Sequence, residues 1–283
     1  VTIVNIAVPD IIKGFNTGVS SVEWVLNAYI LTFAVLLITL GKLGDLYGRK
    51  LLFLGGLGLF TISSLACGLA PNIPLLIVAR VFQAIGGAAM MPATLSILNI
   101  AFGDRRGMAL GIWGAVAGVA SALGPIIGGA LVDAYSWRWI FLINLPVGDI
   151  ACIAAIIIIR ESRDPSTERN IDIPGMLAIS AALFCLTYAL VEGQKYGWGS
   201  TLIVSLFAGS FASFIVFLIL ERIIAAPLIR LELFRNRTFS AGNSVGLILM
   251  FGLLSILFLL VLFMQLILGY SAIKTGLVLL PMP

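Results

Sequence analysis

Arg80 and Gln83 lie three residues apart inside 74–101, a stretch whose other residues are apolar, small or uncharged. A cation at the centre of a membrane helix costs about 2.5–3.5 kcal/mol on insertion scales. Arg80 stands six residues past Pro74, roughly 9 Å deep at helical rise. Its guanidinium could pair with a cavity carboxylate and lower that acid's pKa, with Gln83 in the same hydrogen-bond network. Alternatively its long stem could carry the charge back towards the headgroups. Asp149 is the second such group, about ten residues from either end of "NLPVGDIACIAAIIII" and so near the bilayer midplane, roughly 15 Å deep. Three readings are open. The favoured one has it protonated and bonded to a neighbouring helix; the others make it a cation or proton site in a cavity, or leave it wet. The third cluster is "GKLGDLYGRK" (41–50), where Gly41 and Gly44 permit close helix approach and Gly48 can end a helix. Asp45 and Arg49 are spaced to pair across one turn, beside Lys50.

These groups sit in a chain of 283 residues that is 60% hydrophobic and 11% charged, with a mean hydropathy of +1.13. Soluble domains carry about 25% charged residues. Windows of ~18–20 apolar residues recur, long enough to cross a bilayer as helices. The expected fold is all-α, a polytopic membrane helix bundle. Complete spans are expected at 24–41, 51–69, 74–101, 108–132, 139–159, 174–191, 201–220 and 238–268, eight in all. Partial spans flank them at "VTIVNIAVP" and "TGLVLLPMP", as in a fragment cut inside a helix at each end. Twelve of the seventeen Lys and Arg fall in the loops 42–50, 102–107, 160–173 and 221–237, which alternation puts on one side. The positive-inside rule makes that side cytoplasmic. The net charge of +4 therefore calls for no nucleic-acid partner.

Several chemistries lack their residues. The chain has no histidine, which removes Ser-His proteolysis and His-based zinc or haem sites. Cys67, Cys152 and Cys185 each lie in an apolar span and read as small core residues. No GxxxxGK[ST] loop supports ATP-driven work. Neither an enzyme, a metal site nor a cofactor is expected.

Three more stretches complete a pattern. "ARVFQAIGGAAMMP" holds Arg80, "GIWGAVAGVASALGPIIGGAL" is a ladder of glycines, and "WRWIFLINLPVG" opens the following span. With "GKLGDLYGRK" they resemble motifs of the major facilitator superfamily, and more narrowly its fourteen-helix drug/proton antiporter branch (EmrB/QacA type). "IDIPG", "YGW", "ER" and "PLIRLELFRNRTF" are similar to the extra helix pair and loop of that branch. Two departures keep small residues small: Ala120 in the pattern Gly111, Ala120, Gly124, Pro125, Gly128, Gly129, and Ala84 after Gln83. The family's first-helix Asp would precede Val1. Asp149 has no counterpart in the motif.

The resemblance implies a major facilitator fold: 1–159 a six-helix bundle with its first helix truncated, 160–173 a cytoplasmic linker, 174–221 two inserted helices, 222–237 a cytoplasmic loop, and 238–283 the start of a second bundle. It implies a proton-coupled multidrug antiporter of the bacterial cytoplasmic (inner) membrane, working by alternating access. Arg80 would serve coupling with Gln83 in its network, and Gly41, Gly44, Asp45, Gly48, Arg49 and Lys50 gating; Asp149 is a coupling candidate from its depth alone, since the sixth helix of the family usually supports the bundle from outside the cavity. Pro125 should kink the glycine-rich helix, and the GxxxG spacing of Gly114 with Gly118 and of Gly124 with Gly128 flattens one face, suiting a hinge, a seal or plain packing. Lipophilic or cationic drugs need aromatic and thioether surface. Trp24, Asn27, Tyr29, Met90, Met91 and Trp113 are candidate lining, although each also suits packing or interfacial anchoring. Expected partners are the bilayer, protons and amphipathic drugs, with an envelope accessory protein admissible. Two alternatives stay open: a proton-coupled importer of a small solute on the same fold, and a non-transporting membrane sensor.

Overall fold

The computed structural model describes residues 3–4, 7–163, 172–224, 227–229, 231–270, 274 and 278. Among them the regular structure is helical. We number the helices α1 (Val8–Phe15), α2 (Val19–Tyr47), α3 (Arg49–Leu69), α4 (Ile73–Phe102), α5 (Arg106–Ala134), α6 (Trp139–Leu142), α7 (Asn144–Ile158), α8 (Ile173–Tyr196), α9 (Thr201–Ile223) and α10 (Arg237–Leu262). A π-helical turn, Phe263–Ile267, prolongs α10. Each of the eight expected spans is helical. Six segments of the described residues are long and apolar enough to cross a membrane. One of these, Ile73–Val132, is two helices, α4 and α5, meeting at a 3-10 turn over Gly103–Arg105, with Gly103 at φ +45°.

Local chemistry fixes the ends. Asn72, Asp172, Ser200 and Asn236 cap α4, α8, α9 and α10, each side chain accepting an N–H from the first turn. Proline follows the cap at α4 and α8, where its missing N–H costs nothing. Between α2 and α3 a single residue, Gly48 at φ +128°, ends one helix and starts the next. A side chain there would be strained by the backbone, and a Cβ would lie 2.7 Å from the Glu161 carboxylate.

α4 is the centre of the bundle, packed on α2 and α3, and α3 also packs on α7. Its crossing with α3 is backbone to backbone: a Cβ on Gly86 would come 2.6 Å from both Gly56 O and Phe60 N. Pro92 inside α4 is seated against Gly41 of α2. The apolar core collects Val4, Ile11, Val22, Val25, Leu76, Ile140 and Phe141 at one end of the bundle. There the ring of Trp137 stands 5.2 Å from that of Phe15. α8 and α9 form a hairpin that leans on α2.

Candidate functional site

The site grows from the apolar core just described. Arg80 is 3% exposed. Its Nε donates to Val25 O of α2 at 3.1 Å and its Nη1 to Gln83 Oε1 at 2.6 Å. The guanidinium carbon lies 4.1 Å from the centroid of the Tyr29 ring and 5.8 Å from that of Phe141. Tyr29 can lie this close to α4 because Gly87 leaves room: a Cβ there would be 2.8 Å from the phenol oxygen. The charge therefore points inward, which overturns the reading that it reaches back to the headgroups. Among the described residues no acid pairs with Arg80, and its Nη2 is buried without a hydrogen-bond partner.

Gln83 passes the network on. Its Nε2 donates to Ser64 Oγ of α3 at 2.8 Å, and Asn144 Nδ2, at the start of α7, donates to the same oxygen at 2.9 Å. Ser64 in turn donates to Phe141 O of α6 at 2.9 Å. Cys67 Sγ lies 3.9 Å from Gln83 Oε1, a weak thiol contact. Five elements thus meet at one buried polar chain. Reasoning from the sequence found Arg80 and Gln83 and missed Ser64 and Asn144. The available signal was polar side chains with hydrogen-bonding capacity placed deep in apolar spans.

Asp149 is corrected. It is exposed on α7 with no hydrogen bond or ion pair among the described residues. The bonded-neighbour reading does not fit that position. Its neighbour Gly148 is the packed residue, meeting Thr61 of α3.

At the "GKLGDLYGRK" turn, Arg49 Nη2 and Asp45 Oδ1 are 2.7 Å apart, and Arg49 Nε donates to the same oxygen at 2.9 Å. Gly44 faces Leu52 across the turn. Less expected is Glu161, whose carboxylate accepts the N–H groups of Lys50 and Leu51 at 3.1 Å each. An acid just past α7 thereby caps the N-terminus of α3, where the helix dipole favours it. Lys50 Nζ donates to Ile156 O at 2.7 Å, and Arg49 N to Ser162 O at 3.1 Å. The turn is clamped to the end of α7 at three places.

The glycine ladder of α5 presents a largely open face among the described residues. A Cβ on Gly111, Gly114, Gly118 or Gly129 would meet nothing within 4 Å, and Ala120 is exposed. Gly128 alone of those described is crowded, by Ile3. Gly124 is half-buried, and the backbone stays helical through Pro125, whose side chain lies outside the described residues.

The six residues suggested as drug lining are split. Trp24 and Asn27 face α8 across a shallow groove with Leu31, Tyr188 and Val191, and the rings of Trp24 and Tyr188 are 5.8 Å apart. Tyr29 lies on Arg80 instead. Met90 is close to Gly56 of α3, Met91 is exposed, and Trp113 is half-buried on α5. They do not converge on one cavity.

Comparison with known proteins adds a family and a set of relatives. A family model described as the Major Facilitator Superfamily matches residues 1–282. A methylenomycin A resistance protein of Bacillus subtilis is 40% identical, matching all of this chain and 60% of its own length. A tetracenomycin C resistance and export protein of Streptomyces glaucescens is 36% identical, over 99% of this chain and 52% of its own. The multidrug transporter protein MdtP of Bacillus subtilis is 38% identical, with the same coverages. The chain thus spans just over half the length of these curated relatives.

Proposed function

Since the chain belongs to the Major Facilitator Superfamily, we propose that it is part of a proton-coupled exporter of amphipathic drugs, of the fourteen-helix antiporter branch. The observation that carries this reading is the buried Arg80 cluster. A fixed cation with a free N–H, held by α2, α3, α4 and the α6–α7 break, suits a device that changes the affinity of a nearby acid for a proton. The names of the relatives, resistance and export among them, support the substrate class. Residues 1–159 are the first bundle, the hairpin over 174–221 is the inserted pair, and 238–283 begin a second bundle. Transport alternates between faces of a bacterial cytoplasmic membrane as the bundles rock. The α5 glycine face, open in this structure, is the hinge or seal between them.

The test uses the protein expressed at full length in everted vesicles under an imposed proton gradient. Accumulation of a fluorescent lipophilic cation is expected for the wild type and abolished by Arg80→Ala at near-normal expression. Arg80→Lys should restore it poorly, because an ammonium lacks the planar fork. Wild-type rates in Arg80→Ala would overturn the coupling role. Accumulation only in right-side-out vesicles would favour an importer.

A further inference from the structure

We infer that Ser64, backed by Asn144, is the positioning residue that fixes the amide of Gln83 and, through it, the guanidinium of Arg80. This rests on the coupling role proposed for Arg80. A guanidinium only donates, so the side of Gln83 that faces it at 2.6 Å has to be the amide oxygen. The amide nitrogen is then turned to Ser64, 2.8 Å away, and Ser64 has to accept. Its own proton must go elsewhere, and Phe141 O, 2.9 Å away, takes it. The second lone pair takes the N–H of Asn144. A hydroxyl has one proton and two lone pairs, and all three are used. The charge of Arg80 fixes the orientation of the Gln83 amide, and Ser64 must accept from it.

Removing the hydroxyl would leave the Gln83 nitrogen with no partner in a place where Ser64 is 0% and Gln83 1% exposed, and would take one partner each from the Asn144 nitrogen and the Phe141 oxygen. The amide would lose the contact that tells one of its ends from the other. A flipped amide presents N–H to N–H at Arg80, so the guanidinium would shift away. Asn144 adds a second link. It is the first residue of α7, directly after the break at Ile143, so the orientation of Gln83 follows the position of that helix start.

The experiment uses the full-length protein in proteoliposomes, in a background where Cys152 and Cys185 are replaced by alanine. One readout is the pH profile of drug transport. The other is the rate at which maleimide labels Cys67, which is 0% exposed and touches Gln83. Ser64→Ala should move the pH midpoint in the same direction as Gln83→Ala, and the double variant should go no further than Gln83→Ala alone. Cys67 labelling should quicken about tenfold or more, as expected for a buried thiol newly opened. Ser64→Thr, which keeps the hydroxyl, should restore both. Additive shifts, or an unmoved pH profile in Ser64→Ala, would overturn the inference. If Ser64→Ala fails to insert, Asn144→Ala frees one lone pair with Ser64 in place, and a smaller shift of the same sign is required of it. Should the wild type show no proton-driven transport, the coupling reading falls by itself. Cys67 labelling then decides alone, and unchanged protection in Ser64→Ala would overturn the positioning role.

Discussion

A buried guanidinium needs its five N–H groups answered, and Arg80 meets part of that need with a carbonyl, an amide oxygen and the face of Tyr29, while its Nη2 has no hydrogen-bond partner among the described residues. An aromatic face over a desolvated cation is worth about 2 kcal/mol. That explains how the charge stays inside without an acid beside it among the described residues. Asp149 makes the opposite case. A carboxylate exposed on α7 and bonded to nothing described should contribute little to the fold, so Asp149→Asn should change stability by no more than about 0.5 kcal/mol. Thermal unfolding of the purified protein in detergent measures this. A loss above about 2 kcal/mol would mean that the side chain is buried and partnered after all. The two residues looked alike in sequence, one costly charge in each apolar span, because depth along a helix is legible and direction around it is not. Arg80 and Gln83 could be paired from their spacing of three, a property of one helix. Ser64 lies 19 residues from Gln83 and Asn144 lies 80 from Ser64. Only the packing of separate helices brings them together.

Helices show the same limit. Glycines are dense on α3, α4 and α5, and composition alone would give all three close-packed faces. The α3–α4 crossing realises this, with Gly56 and Gly86 in backbone contact. Gly111, Gly114 and Gly118 of α5 face open space. The contrast predicts opposite outcomes for the same change. Gly86→Ala must push α3 away and should cost about 1–3 kcal/mol, the usual range for overpacking. Gly114→Ala meets nothing and should be neutral or stabilising by up to about 1 kcal/mol, since alanine is the better helix former. Unfolding of both variants in the purified chain checks the pair; equal destabilisation would show that α5 is packed there. If α5 seals one bundle against another, Gly114→Ala should cost transport while sparing stability. The capping of α3 was equally hidden. Gly48 signalled a helix end, but the acid that caps the next helix, Glu161, comes from beyond α7.

At the scale of the molecule, the alternation of basic and neutral loops sets an orientation that the length of α2 makes testable. α2 runs for 29 residues, Val19–Tyr47 behind the N-cap Gly18, or about 43 Å at 1.5 Å per residue. The hydrocarbon core is about 30 Å thick. The two ends of this one helix must therefore stand near or beyond opposite faces. Both are accessible: a side chain at Gly18 would meet nothing within 4 Å, and Tyr47 is 56% exposed. Three basic residues, Lys42, Arg49 and Lys50, gather at the Tyr47 end, whereas Lys13 and Arg138 lie near the other. Positive charge is retained on the cytoplasmic side, so Tyr47 should face the cytoplasm and Gly18 the exterior. Single cysteines at these positions, in a background where Cys67, Cys152 and Cys185 are replaced by alanine, give the measurement. An impermeant thiol reagent added to intact cells should label Gly18→Cys and spare Tyr47→Cys, and everted vesicles should reverse the pattern. Labelling of Tyr47→Cys from outside intact cells would invert the topology. The clamp of Glu161 and Lys50 would then lie outside the cell, and the direction of transport proposed for the protein would have to be reconsidered with it.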